Sequence, residues 1–275
     1  MDHLLHTVGR IFGITLIRYF ILAGIPFLIF YIFLRNQSKK LKIQDRPAKN
    51  KDFIREIIHS TLSSLVLSIE AMLVLATPLR NHTLIYKNLS DYPYWWIPVS
   101  LVLSLVIHDT YFYWMHRLLH HKSIFRYTHH VHHQSTNPSP WAAYSFHVWE
   151  AIADGAIIIL LVFLLPMHTV TLFLFAVIGF IINVYGHLGY ELMPKGLRRS
   201  FLFNIINTSV YHNIHHSKFH GNYSLYFRHW DRWMKTENPD YVKEYDRVQE
   251  KRFGNLHENP LTSHSSSSPP SSTRG

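Results

Sequence analysis

The 275 residues contain no cysteine. That absence excludes a disulfide framework, an iron–sulfur cluster and thiolate-ligated haem. Acidic residues are scarce as well: 17 Asp and Glu stand against 27 Lys and Arg, a formal charge of +10. Such an excess suits nucleic acid or an anionic membrane surface. The positive charges sit where a membrane protein puts them, so no nucleic-acid partner is expected. No HExxH occurs, which removes the metalloprotease signature, and no internal repeat stands out beyond a recurring HxxHH. What is plentiful is apolar and imidazole: 48% hydrophobic residues, 15% aromatic residues and 22 histidines.

Several stretches are long and apolar enough to cross a bilayer. Residues 11–34 are broken only by Arg18 and small residues. Their length and the missing small-residue cleavage site fit a retained span rather than a signal peptide. Residues 35–56 follow, with eight Lys/Arg against three Asp/Glu. Residues 57–79, closed by Pro78, form a second span, and 95–115 a third, with Tyr94, Trp95 and Trp96 as interfacial anchors. Residues 150–165 and 170–190 are parted at Pro166 and read as a re-entrant hairpin or as two spans. If residues 35–56 are cytoplasmic, 23 of the 27 Lys/Arg fall on that side, and the loop around Arg80 and Lys87 holds two on the other. The positive-inside rule is then met.

Eight histidines form three clusters: His116 and His120 in HRLLH, His129, His132 and His133 in HHVHH, and His212, His215 and His216 in HNIHH. Neutral imidazole ligates Fe, Zn, Cu and Ni. Helical spacings of three and four bring side chains to one face. Eight nitrogens exceed one tetrahedral site and suit two metals held close together. His187, in NVYGHLGYELMP at the cytoplasmic end of the last span, is a ninth candidate. His121 and His130 point about 100° from their neighbours on a helix and are set aside. His220, His229, His257 and His264 have no partner spacing, and His3 and His6 fall on the other side of the membrane. Ligand clusters beside spans point to a lipid-modifying metalloenzyme.

Asp109, Tyr113, His116, Arg117 and His120 share one face of the third span. An ionisable residue in a span is a functional candidate. Asp109 is expected either to accept from a metal-bound imidazole or to pair with Arg117 or another helix; the adjacent His108 is turned away and read as packing. His147 and Glu150, in FHVWE, either hydrogen-bond behind the ligands or line the substrate entrance, with helix capping a further reading for Glu150. The aromatic run 222–233 reads as packing around the metal cap.

These motifs, DTYFYWMHRLLHH, HHVHH, HVWE, NVYGH, YHNIHH and NYSLYFRHWDRWMKT, make residues 101–237 resemble the fatty acid hydroxylase superfamily. This integral-membrane group contains sterol methyl oxidases, sterol desaturases and alkylglycerol monooxygenase. Three departures lie outside the histidine boxes: Val148 where the family often has proline, and Ser224 and Lys235 where it usually has glycine. The resemblance implies that the eight box histidines, with His187, hold two iron ions. It implies dioxygen as co-substrate and hydroxylation or desaturation of a sterol or fatty acyl lipid, with hydroxylation placed ahead. Electrons would come from a separate donor, a b-type cytochrome or a ferredoxin with its NAD(P)H reductase.

The expected architecture is all-α, a polytopic membrane bundle of four to five spans with a cytoplasmic helical cap holding the di-metal site. Residues 1–94 are expected to form N-terminal membrane helices and a basic loop, 95–250 the catalytic domain, and 251–275 a disordered Ser/Pro-rich tail. The site is expected to face the cytoplasm, from the endoplasmic reticulum in a eukaryote or the inner membrane in a bacterium. A competing reading is a His-rich metal-binding or transport protein. Transporters, however, set polar ligands at mid-membrane on broken helices, and these clusters sit at span ends.

Overall fold

The computed structural model describes residues 2–254; of the Ser/Pro-rich tail expected at 251–275, residues 255–275 lie outside the described residues. The protein is an all-α polytopic membrane bundle. Its helices are α1 (Asp2–Phe27), which runs on into a π-helical turn at Leu28–Phe33, α2 (Asn50–Ala76) and α3 (Trp96–Leu119). Next come the one-turn α4 (Phe125–Thr128) and α5 (His130–His133), then α6 (Val148–Leu164) and α7 (Thr169–Gly186). The chain closes with α8 (Ser209–Lys218), α9 (His229–Trp233) and α10 (Tyr241–Phe253).

Four helices are long and apolar enough to span: Leu4–Phe33, α2, α3 and α7. With 17 residues, α6 extends about 26 Å, short of the ~30 Å hydrocarbon core. The first two spans begin earlier than hydropathy suggests. Residues 50–56, read as part of a basic loop, are the first turns of α2, and Glu56 is buried in it. The cap likewise continues to Phe253, three residues past the expected boundary.

Two contacts fix which loops share an end of the bundle. Between α2 and α3, β1 (Ile85–Tyr86) pairs in parallel with β2 (Met167–His168) between α6 and α7. At the other end, Lys42 bridges to Tyr190, and the Gln44 amide donates to the Thr136 carbonyl and to Asn213 Oδ1. The loops after α1, α3 and α7 therefore meet at one end and form the cap.

Small residues let α2 pack closely. Ser60, Ser63, Ser64 and Ser68 are all buried, and Ser60 Oγ donates to the Trp141 carbonyl at 2.8 Å. In a bilayer such small-residue faces allow close backbone approach, which drives helix association. The cap has its own core, in which Val210, Tyr211 and Ile214 of α8 pack on Tyr241, Tyr245 and Val248 of α10. Buried Arg228 stacks over Phe203 and Tyr241 at 4.9 and 4.5 Å and makes a two-pronged ion pair with Glu237. The pairing offsets the cost of burying a cation.

Candidate metal centre

Nine imidazoles converge where the ends of α3 and α7 meet α4, α5 and α8. They fall into two groups, each with all ligand nitrogens within 4.8 Å of one another. His116, His120, His129, His133 and His215 form the first; His132, His187, His212 and His216 form the second. Each three-histidine motif is divided between them. His129 and His133 go one way and His132 the other; His212 and His216 go one way and His215 the other. Helical phase explains the split: a residue four on is rotated about 40° and stays with its partner, while one three on lies about 60° to the other side.

Rings within a group face each other through Nε2. In the first, His116 and His129 are 2.9 Å apart, and His133 lies 3.0 Å from both His120 and His215. In the second, His187 lies 3.1–3.2 Å from His132, His212 and His216. On five of the rings the opposite nitrogen is directed outward to a backbone carbonyl. His116 Nδ1 donates to the Tyr223 carbonyl at 2.7 Å and His215 Nδ1 to the Gly221 carbonyl at 2.6 Å. His132, His187 and His216 donate to the carbonyls of Ser145, Asn183 and Ser135. A carbonyl only accepts, so each Nδ1 carries the proton and each neutral ring keeps a bare lone pair on Nε2.

Burial, and then the charge of neighbouring imidazoles, holds His129, His132, His133, His212, His215 and His216 well below the ordinary histidine range. Burial lowers His187 to about 4 against the support of its bond to Asn183. These rings are therefore neutral at pH 7. Lone pairs at about 3 Å with no proton between them repel unless a cation lies among them. The donor set fits two transition-metal ions and has the outward acceptors that metal-bound imidazoles require.

Glu150 joins the site: it is buried, with Oε1 2.7 Å from His129 Nδ1. His147, in contrast, caps α6, its Nδ1 accepting from the Trp149 amide at 3.3 Å, and belongs to neither group. For Asp109, the alternative of a partner on another helix matches the geometry. Its carboxylate meets no ring of either group and does not pair with Arg117. It accepts from the Tyr226 and Phe227 amides at 2.6 and 3.2 Å and stands 3.8 Å from His229. It anchors the chain beneath the metal centre.

Three functional features escape the sequence. Buried Asp231, in a run read as packing, accepts from the Tyr223 and Ser224 amides and from Thr236 Oγ1 at 2.7–2.9 Å. It thereby holds the strand of backbone whose carbonyls orient His116 and His215. Glu56 accepts from Ser139 Oγ at 2.5 Å and pins the loop that leads to Ser145. An acidic residue in a span is the available signal, and counting Glu56 with the basic loop concealed it. His108, read as packing, lines a cavity between the spans and bonds Tyr226 Oη at 2.8 Å.

Two buried imidazole clusters at the end of a membrane bundle define a candidate metal centre, and comparison with known proteins gives its class. Residues 101–236 match the fatty acid hydroxylase family model. The chain is 30% identical to the Delta(7)-sterol 5(6)-desaturase ERG3B of Gibberella zeae, over 87% of this chain and 76% of that protein. It is 30% identical to the lathosterol oxidase of Mus musculus, over 74% of this chain and 69% of that one. The cholesterol 25-hydroxylase-like protein of Danio rerio is 33% identical over 59% of this chain and 70% of its own length. No solved structure matches. The chain belongs to the fatty acid hydroxylase superfamily and is an oxidoreductase.

Proposed function

We propose that this protein is a di-iron, dioxygen-dependent enzyme that desaturates or hydroxylates a sterol. The observation that carries the reading is the division of nine buried imidazoles into groups of five and four, each with a shared point for one ion. His116, His120, His129, His133 and His215 hold one iron; His132, His187, His212 and His216 hold the other. Iron so bound supplies the dioxygen activation and redox chemistry needed to take hydrogen from an unactivated C–H bond. All-imidazole ligation leaves the ligand set itself without a carboxylate, and Glu150 stands beside His129 behind it. The protein's remaining work is to orient the lipid and exclude water.

Desaturation now stands ahead of hydroxylation, because the sterol desaturase and the lathosterol oxidase align over more of the chain than the hydroxylase-like relative does. We assign residues 95–250 as the catalytic unit, supported by the family match over 101–236. The basic loops of the cap support a cytoplasmic orientation and a separate electron-transfer protein as reductant. Mass spectrometry of sterols from cells expressing the wild type or a His132→Ala/His215→Ala variant tests the reading. A sterol losing two hydrogens only with the wild type establishes a desaturase, and one gaining an oxygen a hydroxylase. Identical sterols in both, with iron bound to the wild type and donor supplied, refute it.

A further inference from the structure

A cavity of about 380 Å³ lies among the spans, within the range of small-molecule sites. Its wall at one end includes Asn183 and Phe112, which reach the metal centre directly. The Asn183 carbonyl accepts from His187, and the Phe112 ring lies 5.0 Å from that of His116. At the other end the wall is Leu75, Val162, Leu172 and Phe173. From Asn183 to Thr169, both on the wall, α7 rises about 21 Å, the length scale of a sterol.

The polar groups are unevenly placed. Glu70 of α2 and Asp154 of α6 open into the cavity, close enough to feel each other's charge. Glu70 is 8% exposed, and its Oε2 is buried without a hydrogen-bond partner. The site is shaped for that carboxyl group: a Cβ at Gly155 would stand 1.6 Å from Glu70 Oε2. His108 Nε2, on the same wall, is also unpartnered. Buried polar atoms without partners are costly, and a bound ligand would complete them.

The surrounding charges limit what that ligand is. Arg18 on the wall opposes a cation, and the two acidic side chains oppose a carboxylate or phosphate. A neutral hydroxyl meets neither objection. We infer that Glu70 and Asp154 bind the hydroxyl of a sterol-type lipid alcohol whose apolar body fills the leucine- and phenylalanine-lined end of the cavity. The inference rests on the sterol-oxidoreductase reading and adds an orientation to it. Asp154 is one turn of α6, about 6 Å, from Glu150 beside His129, so carbons near the hydroxyl face the histidines and the tail points away.

The test is equilibrium binding of tritiated cholesterol and of its 3-deoxy analogue to the iron-loaded full-length protein in nanodiscs. Wild type, Glu70→Gln and Asp154→Leu are compared. The wild type should favour the alcohol roughly ten- to hundredfold, the worth of a hydrogen bond to a charged group. Asp154→Leu should bring the two ligands to near-equal affinity by weakening the alcohol alone, with Glu70→Gln intermediate. Equal affinities in the wild type, no binding of either ligand, or a parallel loss of both in the variants overturns the assignment. Product analysis separates the two claims. Binding preference without any oxidised sterol defeats the enzymatic reading and leaves the hydroxyl site standing; oxidation at the tail end defeats the orientation.

Discussion

Replacing Asp231 by Asn tests whether the loop behind His116 and His215 governs one metal site and not the other. Asp231 Oδ1 accepts from the Tyr223 amide and Thr236 Oγ1, and Oδ2 from the Ser224 amide. An asparagine keeps the shape, and its carbonyl oxygen can serve in place of Oδ1. Its NH2 group then faces the Ser224 N–H, donor against donor. One hydrogen bond to a charged acceptor is lost, about 1.5–3 kcal/mol. At roughly 2–4 °C per kcal/mol for a chain of this size, the melting temperature should fall by about 3–12 °C. The carbonyls of Tyr223 and Gly221 lose their fixed position, and loss of such outward acceptors typically weakens metal binding about 10–100-fold. Only the group containing His116 and His215 uses them. Iron content measured by plasma emission during chelator titration should therefore show one ion leaving early and the other leaving as in the wild type. Simultaneous early loss of both ions, or a titration identical to the wild type, would refute the reasoning.

Single replacement of His132 or His133 by alanine should each lower iron from two ions towards one per chain and abolish sterol oxidation. The two variants should retain opposite sites, distinguishable by Mössbauer spectroscopy, and indistinguishable spectra would contradict the partition. Arg228→Ala leaves Glu237 unpaired and removes the stacking on Phe203 and Tyr241. The expected cost is roughly 3–5 kcal/mol, read as a lower melting temperature for the full protein, and an unchanged melt would show that the cap does not depend on the pair. Ser64→Leu inserts a large side chain into a fully buried position on α2. Overpacking of this kind costs about 1–3 kcal/mol, so denaturation in mild detergent should occur at lower temperature while the variant still inserts.

Much of this architecture was legible before folding. Runs of apolar residues predict spans because the bilayer leaves backbone groups no partner outside a helix, and the spans at α1, α2, α3 and α7 follow. The pair around Pro166 was legible as two helices, but not that the first is too short to cross straight. Helix starts were misplaced at Asn50 because a charged first turn of a span resembles a loop.

The sequence by itself determined the kind of side chain at the candidate site, imidazole, and that many of them recur. Imidazoles recurring at three and four residues lie on one face of a helix, and their number exceeds one tetrahedral site. Only the tertiary structure decided how they are shared. Helical phase separates the rings within HHVHH and within HNIHH, but which rings of one motif join which of the other is set by the fold, with 78 residues of chain between the two motifs. The same holds for the acceptors behind the rings. Most are backbone carbonyls, which every residue possesses, so no residue type announces them. Asp109, Asp231, Glu56 and Glu70 show the limit most plainly. Each is a lone carboxylate in the chain, and what it holds — a loop amide, a serine or an open cavity — is set by residues brought to it from far along the sequence.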